Sequence, residues 1–129
     1  MLKNEIEMLI SEKELSIKAL KWILCLLKEE TKNFEELVFQ KYIETARVSD
    51  VASILNESGY RTAGVSGERK YTSNDVTEIL YKEECKLCVD SMLHEVAIYL
   101  SVSKYKTWED KIVYVYKKLI EAEKINIDT

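Results

Sequence analysis

Seven residues between Arg61 and Thr77 have the side-chain chemistry that binds nucleic acid. Arg61, Arg69 and Lys70 are cations suited to phosphate, and Thr72, Ser73, Asn74 and Thr77 are short hydrogen-bonding groups. The spacing of the last four places them on the first two turns of a helix, whose free N–H groups add further donors. Such an end can enter a major groove and bond to base edges or phosphates, against the negative charge of Asp75. Residues 61–74 hold three basic side chains against one acidic, although the chain as a whole carries a net charge of -4. A second lysine group, Lys104, Lys106, Lys111, Lys117 and Lys118, is opposed only by Glu109 and Asp110. If the last helix packed beside the first group, the two would form one basic face with Tyr105 and Tyr114 nearby. Ordinary solvated lysines are the simpler reading of that second group.

Two other chemistries are weaker. Cys85-x-x-Cys88 with His94 and Cys25 has the ligand types of a tetrahedral zinc site. The apolar spacing around both cysteines and Met92 instead reads as the buried face of a helix, so no metal or other cofactor is expected. His94, the single histidine, reads as a boundary or surface side chain. No nucleophile-base arrangement or phosphate-cradling loop is legible, because Gly64-Val65-Ser66-Gly67 lacks the Gly-Lys-Ser/Thr ending. The acid pairs Glu29-Glu30, Glu35-Glu36 and Glu83-Glu84 read as solvated faces, and an enzyme is not expected.

The elements that must position these groups are helical. The 129 residues include no proline and three glycines, with 47% hydrophobic and 33% charged side chains, a balance that suits packed helices and excludes a disordered chain or a turn-rich sandwich. One domain is the default at this length. The longest strictly apolar run, Trp22 to Leu27, is far short of the roughly 20 residues a bilayer span needs. Met1 to Glu5 lead directly into amphipathic sequence with no secretory pattern, so a cytoplasmic chain with no membrane partner and free thiols at its three cysteines is expected.

Ile6, Ile10, Lys13, Ile17, Leu20, Leu24 and Leu27 alternate steps of four and three, the seam of a helix that packs along another helix. Ser11-x-x-Glu14 is a capping pattern, so this arm is either one helix or two. Leu24 to Leu27 are apolar all round, which calls for burial on more than one side, in a dimer interface or a central core helix. Asn33 with Glu36 marks the next N-cap, and Ser49 marks a short helix closed by Gly59. Thr72 with Asp75 starts a helix near Ser73, and Cys85 to Leu100 holds one long amphipathic period. Thr107 with Asp110 caps the last helix, which ends before a polar tail from Asn126 to Thr129. The expected fold class is all-α. Residues 1–32 are a helical arm, 33–83 a helix-turn-helix core and 84–129 two C-terminal helices, within one helical domain of residues 1–129. Residues 60–71 are either an open loop or a small hairpin wing.

Val51-Ala52, Leu55-Asn56, Gly59, Thr62, Gly67, Tyr71, Ser73, Val76 and Ile79-Leu80 follow one another in an order that resembles the DNA-binding recombinase region of large serine recombinases. The resemblance covers residues 49–82, and the chain carries no catalytic serine domain. It implies a helix-turn-helix that binds double-stranded DNA, with the helix from Ser73 as reader and Arg61, Arg69 and Lys70 on the backbone. A small sequence-specific transcriptional regulator or accessory factor of a phage or mobile element, acting as a homodimer through the arm or the C-terminal helices, is the expectation. The alternative is a phage-type inhibitor or adaptor that binds a protein partner. The acidic charge balance favours it, as does Thr77-Glu78 where the family has a basic pair.

Overall fold

The computed structural model describes residues 1–126, and the tail residues 127–129 lie outside the described residues. The fold is all-α with a small wing: α1 (Lys3–Leu27), α2 (Phe34–Thr45), α3 (Val48–Glu57), β1 (Thr62–Gly64), β2 (Gly67–Arg69), α4 (Ser73–Tyr81), α5 (Glu83–Lys86), α6 (Ser91–Val102) and α7 (Trp108–Glu121). No helix among the described residues is long and apolar enough to cross a membrane.

The chain divides into two compact units. Among the described residues, one unit holds Met1–Glu29 and residues 102–126, and the other is Glu30–Ser101. This departs from an arm, a core and a C-terminal pair: α1 is partnered by α7, while α6 belongs with the helix-turn-helix.

In the first unit, α1 is a single helix. Ser11 starts no second one, since no proline or glycine interrupts the backbone hydrogen bonds. Ala19, Ile23 and Leu26 of α1 and Ile112, Val115, Tyr116 and Leu119 of α7 are buried, and the Trp22 and Tyr116 rings lie 5.5 Å apart. The Thr107 hydroxyl accepts from the Asp110 N–H at 3.2 Å and starts α7 as its spacing predicts. The heptad seam does not face α7. Ile6, Ile10, Ile17 and Leu24 are exposed, as is Cys25, so the all-round apolar stretch is covered on one side only.

In the second unit, α2 packs on α3 and α4, and α3 packs on α4 around Val51, Leu55, Val76 and Leu80. α3 begins at Val48 with Arg47 as N-cap, ahead of the expected Ser49. It ends as expected at Gly59, whose φ of +90° lets the Tyr60 N–H reach the Leu55 carbonyl and the Gly59 N–H reach that of Asn56. The long helix expected over Cys85 to Leu100 is broken. Asp90 turns its carboxylate onto the Met92 N–H at 2.9 Å and starts α6 afresh, leaving α5 as one short turn. Cys88 is therefore exposed and Cys85 half-buried, not members of a buried helix face.

The loop between α3 and α4 is a wing. Thr62 pairs with Arg69, Ala63 with Glu68 and Gly64 with Gly67, in an antiparallel hairpin turning at Val65 and Ser66. A Cβ on Gly64 would lie 2.8 Å from the Gly67 carbonyl oxygen, so a glycine is needed for the strands to approach.

Glu36 corrects the reading of the acid pairs as solvated faces, because it is buried. Its carboxylate accepts from the Lys32 N–H and the Asp90 N–H, each at 2.9 Å. Asn33, the N-cap of α2, accepts from the Glu36 N–H at 2.8 Å and donates to the Cys88 carbonyl at 2.7 Å. One polar cluster thus fastens the start of α2 to the turn between α5 and α6.

Candidate nucleic-acid interface

The start of α4 is built by a reciprocal cap. The Thr72 hydroxyl accepts from the Asp75 N–H at 3.3 Å, and the Asp75 carboxylate accepts from the Thr72 N–H at 2.8 Å and its hydroxyl at 3.0 Å. Asp75 is also the partner of Arg69, through two parallel bonds of 2.6 and 2.8 Å. This fork couples β2 of the wing to the first turn of α4. The Arg69 guanidinium, followed by the Thr72 amide, holds the Asp75 carboxyl well below its ordinary value of 3.8.

A folded-state value depressed in this way stabilises the fold above the ordinary carboxylate range, and the contribution is lost as the pH falls through and below that range. Asp75→Asn is therefore expected to lower the melting temperature at neutral pH and to shrink that difference toward pH 3. Melts of both proteins across the acid range check this; a constant offset would show that the carboxylate charge does not hold the wing to α4.

A second link fixes the other side of the wing. The Asn56 side chain on α3 donates to the Tyr71 carbonyl at 3.0 Å and accepts from the Tyr71 N–H at 2.8 Å. Phe34 makes tilted ring contacts with both Tyr60 and Tyr71, with ring centres 5.1 and 5.7 Å apart, at the base of the hairpin. The hold of Asn56 on Tyr71 and of Asp75 on Arg69 positions the wing in a way that spacing alone does not reveal, although the cap role of Asp75 is legible. Their partners are a backbone 15 residues away and a wing arginine, and only the folded hairpin brings these together.

The seven expected contact residues are not equally available. Arg69 is committed to Asp75 and the Lys70 carbonyl, and the Thr72 hydroxyl is consumed by the cap. One Arg61 nitrogen donates to the Asn56 and Tyr60 carbonyls at 3.1 and 2.6 Å, which pins that side chain to the end of α3. The Thr77 hydroxyl donates to the Ser73 carbonyl at 3.0 Å, so its proton is spent while its lone pairs can still accept. Lys70 and Asn74 are exposed and Ser73 is half-buried, all without a side-chain hydrogen bond among the described residues. A short edge results: a cation at Lys70, then the side chains of Ser73, Asn74 and Thr77 on the first turns of α4.

The other candidates are not assembled. No group of three or more His, Cys, Asp or Glu side chains among the described residues could hold a metal ion. His94 is half-buried with its ring 6.0 Å from Phe39, and burial lowers its pKa. The second lysine group belongs to the unit of α1 and α7, where Lys118 lies 5.7 Å from the Tyr114 ring centre and 3.6 Å from Glu121. The Tyr105 and Tyr114 rings meet at a tilt, with centres 5.8 Å apart. No family model matches this chain, and neither a curated protein nor a solved structure matches it.

Proposed function

We propose that the protein is a sequence-specific double-stranded DNA-binding protein, a small transcriptional regulator or accessory factor, with α4 as its reading helix and the hairpin as its wing. The observation that carries this reading is the packed pair α3 and α4, clamped through Asn56 and the Arg69–Asp75 fork, with Lys70, Ser73, Asn74 and Thr77 left along one edge. A rigid helix end with one unspent cation and short polar side chains matches what a major groove asks for. Lys70 supplies a phosphate contact. Asn74 is the candidate base reader, because its amide both donates and accepts and so fits adenine, whereas Thr77 can only accept.

Lys70→Glu is expected to weaken binding across all duplexes and to reduce the salt dependence by about one phosphate contact. Asn74→Ala is expected to change preference at one base position, at about 1–3 kcal/mol. Fluorescence anisotropy with a randomised duplex at several salt concentrations, followed by selection of the bound sequences, measures both. Absence of binding at the lowest salt, with selected pools no better than the starting pool, would remove the reading. The neutralisation of Arg69 by Asp75 favours a second one, a protein-binding adaptor that presents the same edge; a stable partner captured without nucleic acid, together with no DNA affinity, is its signature.

A further inference from the structure

The heptad seam of α1 is an apolar stripe that the chain itself does not cover. Ile6 is 44% exposed, and Ile10, Ile17 and Leu24 are each 52% exposed. At 3.6 residues per turn the seam lies ~130° around the helix from Ala19, Ile23 and Leu26, which are buried where α1 meets α7. A second helix can therefore lie along the seam without displacing α7. A groove of about 390 Å³, lined in part by Lys13, Ile17 and Leu20, runs beside the stripe and offers space for side chains.

The flanking charges select the occupant. On the edge of the seam away from α7, at seven-residue intervals, stand Glu7, Glu14, Lys21 and Lys28, all exposed. The N-terminal half of this edge is acidic and the C-terminal half basic, so the edge is complementary to its own reverse. With two copies of α1 antiparallel, the same edges run side by side. Glu7 then faces Lys28 of the second copy, and Glu14 faces its Lys21. That alignment stacks Ile10 on Leu27, Ile17 on Leu20 and Lys13 on Leu24 of the second copy, in a heptad register. A parallel pair would set Lys13 against Lys13 and pair the charged edge with Leu2, Leu9, Ser16 and Ile23, leaving no ion pair.

We infer that the chain forms a two-fold symmetric dimer in which α1 packs antiparallel on α1 of a second copy, in the register that joins Glu14 to Lys21. This goes beyond the DNA reading and does not depend on it, because the surface lies in the other unit and its test contains no DNA. Sedimentation equilibrium of the full chain is the experiment. The wild type is expected to be dimeric at micromolar concentration. Lys21→Glu turns two attractive pairs into two repulsive ones and is expected to weaken the dimer roughly tenfold. Glu14→Lys combined with Lys21→Glu restores the opposite pairing and the affinity. Ile17→Glu, on an exposed position, is expected to yield a monomer with an unchanged circular dichroism spectrum. A monomeric wild type overturns the inference, including one that instead adsorbs to phospholipid vesicles. A double variant no tighter than Lys21→Glu alone overturns the antiparallel register.

Discussion

Glu36→Ala is expected to destabilise the Glu30–Ser101 unit by about 3 kcal/mol, from the loss of two hydrogen bonds to a charged acceptor in a buried position. The Lys32 and Asp90 N–H groups it leaves behind lose their acceptor in a partly buried setting. Asn33 would remain as N-cap, so α2 itself should persist. What should loosen is the junction between α2 and the turn before α6. For a unit of this size the loss corresponds to a drop in melting temperature of more than about 10 °C. Glu36→Gln keeps one acceptor oxygen and turns an NH2 toward the second N–H, so an intermediate loss is expected. Thermal melts of the three proteins measure this. An alanine variant that melts within about 2 °C of the wild type would show that the cluster does not hold the unit together.

Asn56→Ala is the second large effect. Its two bonds to the Tyr71 backbone contribute about 2 kcal/mol together, and their loss leaves the Tyr71 N–H and carbonyl without a protein partner at the point where the wing rejoins the helix. The hairpin has three residues per strand and cannot stand alone, so its placement depends on such ties. Amide exchange at Tyr71 should accelerate strongly, and DNA affinity should fall further than it does for a surface alanine on α4. Asn56→Asp tests the same bond differently. It keeps an acceptor for the Tyr71 N–H but sets a carboxylate against the Tyr71 carbonyl, and it should be no more stable than the alanine variant. An exchange rate at Tyr71 that alanine leaves unchanged would assign the clamp to Phe34, Tyr60 and Arg69 instead.

The features legible in the residues alone are local. The absence of proline, the three-four spacing and the cap pairs Asn33 with Glu36, Thr72 with Asp75 and Thr107 with Asp110 mark where three helices begin. Gly59 marks where α3 ends, because capping and the left-handed turn are decided within a few residues. The expected edge of short polar side chains on α4 follows from the same local rules. Ser11 has a capping pattern inside a helix that runs on unbroken, and Asp90 has a cap inside an unbroken apolar period; at Asp90 a single hydrogen bond to the Met92 N–H restarts the helix, and periodicity does not register it.

Which groups are spent and which are available follows from contacts made on folding. Arg69 carries the same charge as Lys70, yet the hairpin delivers it to Asp75 and leaves Lys70 exposed. Glu36 and Glu35 are adjacent acids, but helix phase turns only Glu36 into the cluster of backbone donors around Lys32 and Asp90. The α1 seam has the spacing of a buried stripe, while α7 takes the neighbouring face because Ala19, Ile23 and Leu26 offer a small and a branched surface that two aromatic rings, Trp22 and Tyr116, can close. Each of these outcomes rests on contacts that only the folded backbone makes, six residues apart for Arg69 and Asp75 and 54 for Glu36 and Asp90. Hydrogen bonds and packing act over a few ångströms, so no pattern of near neighbours contains them until the backbone has brought the partners together.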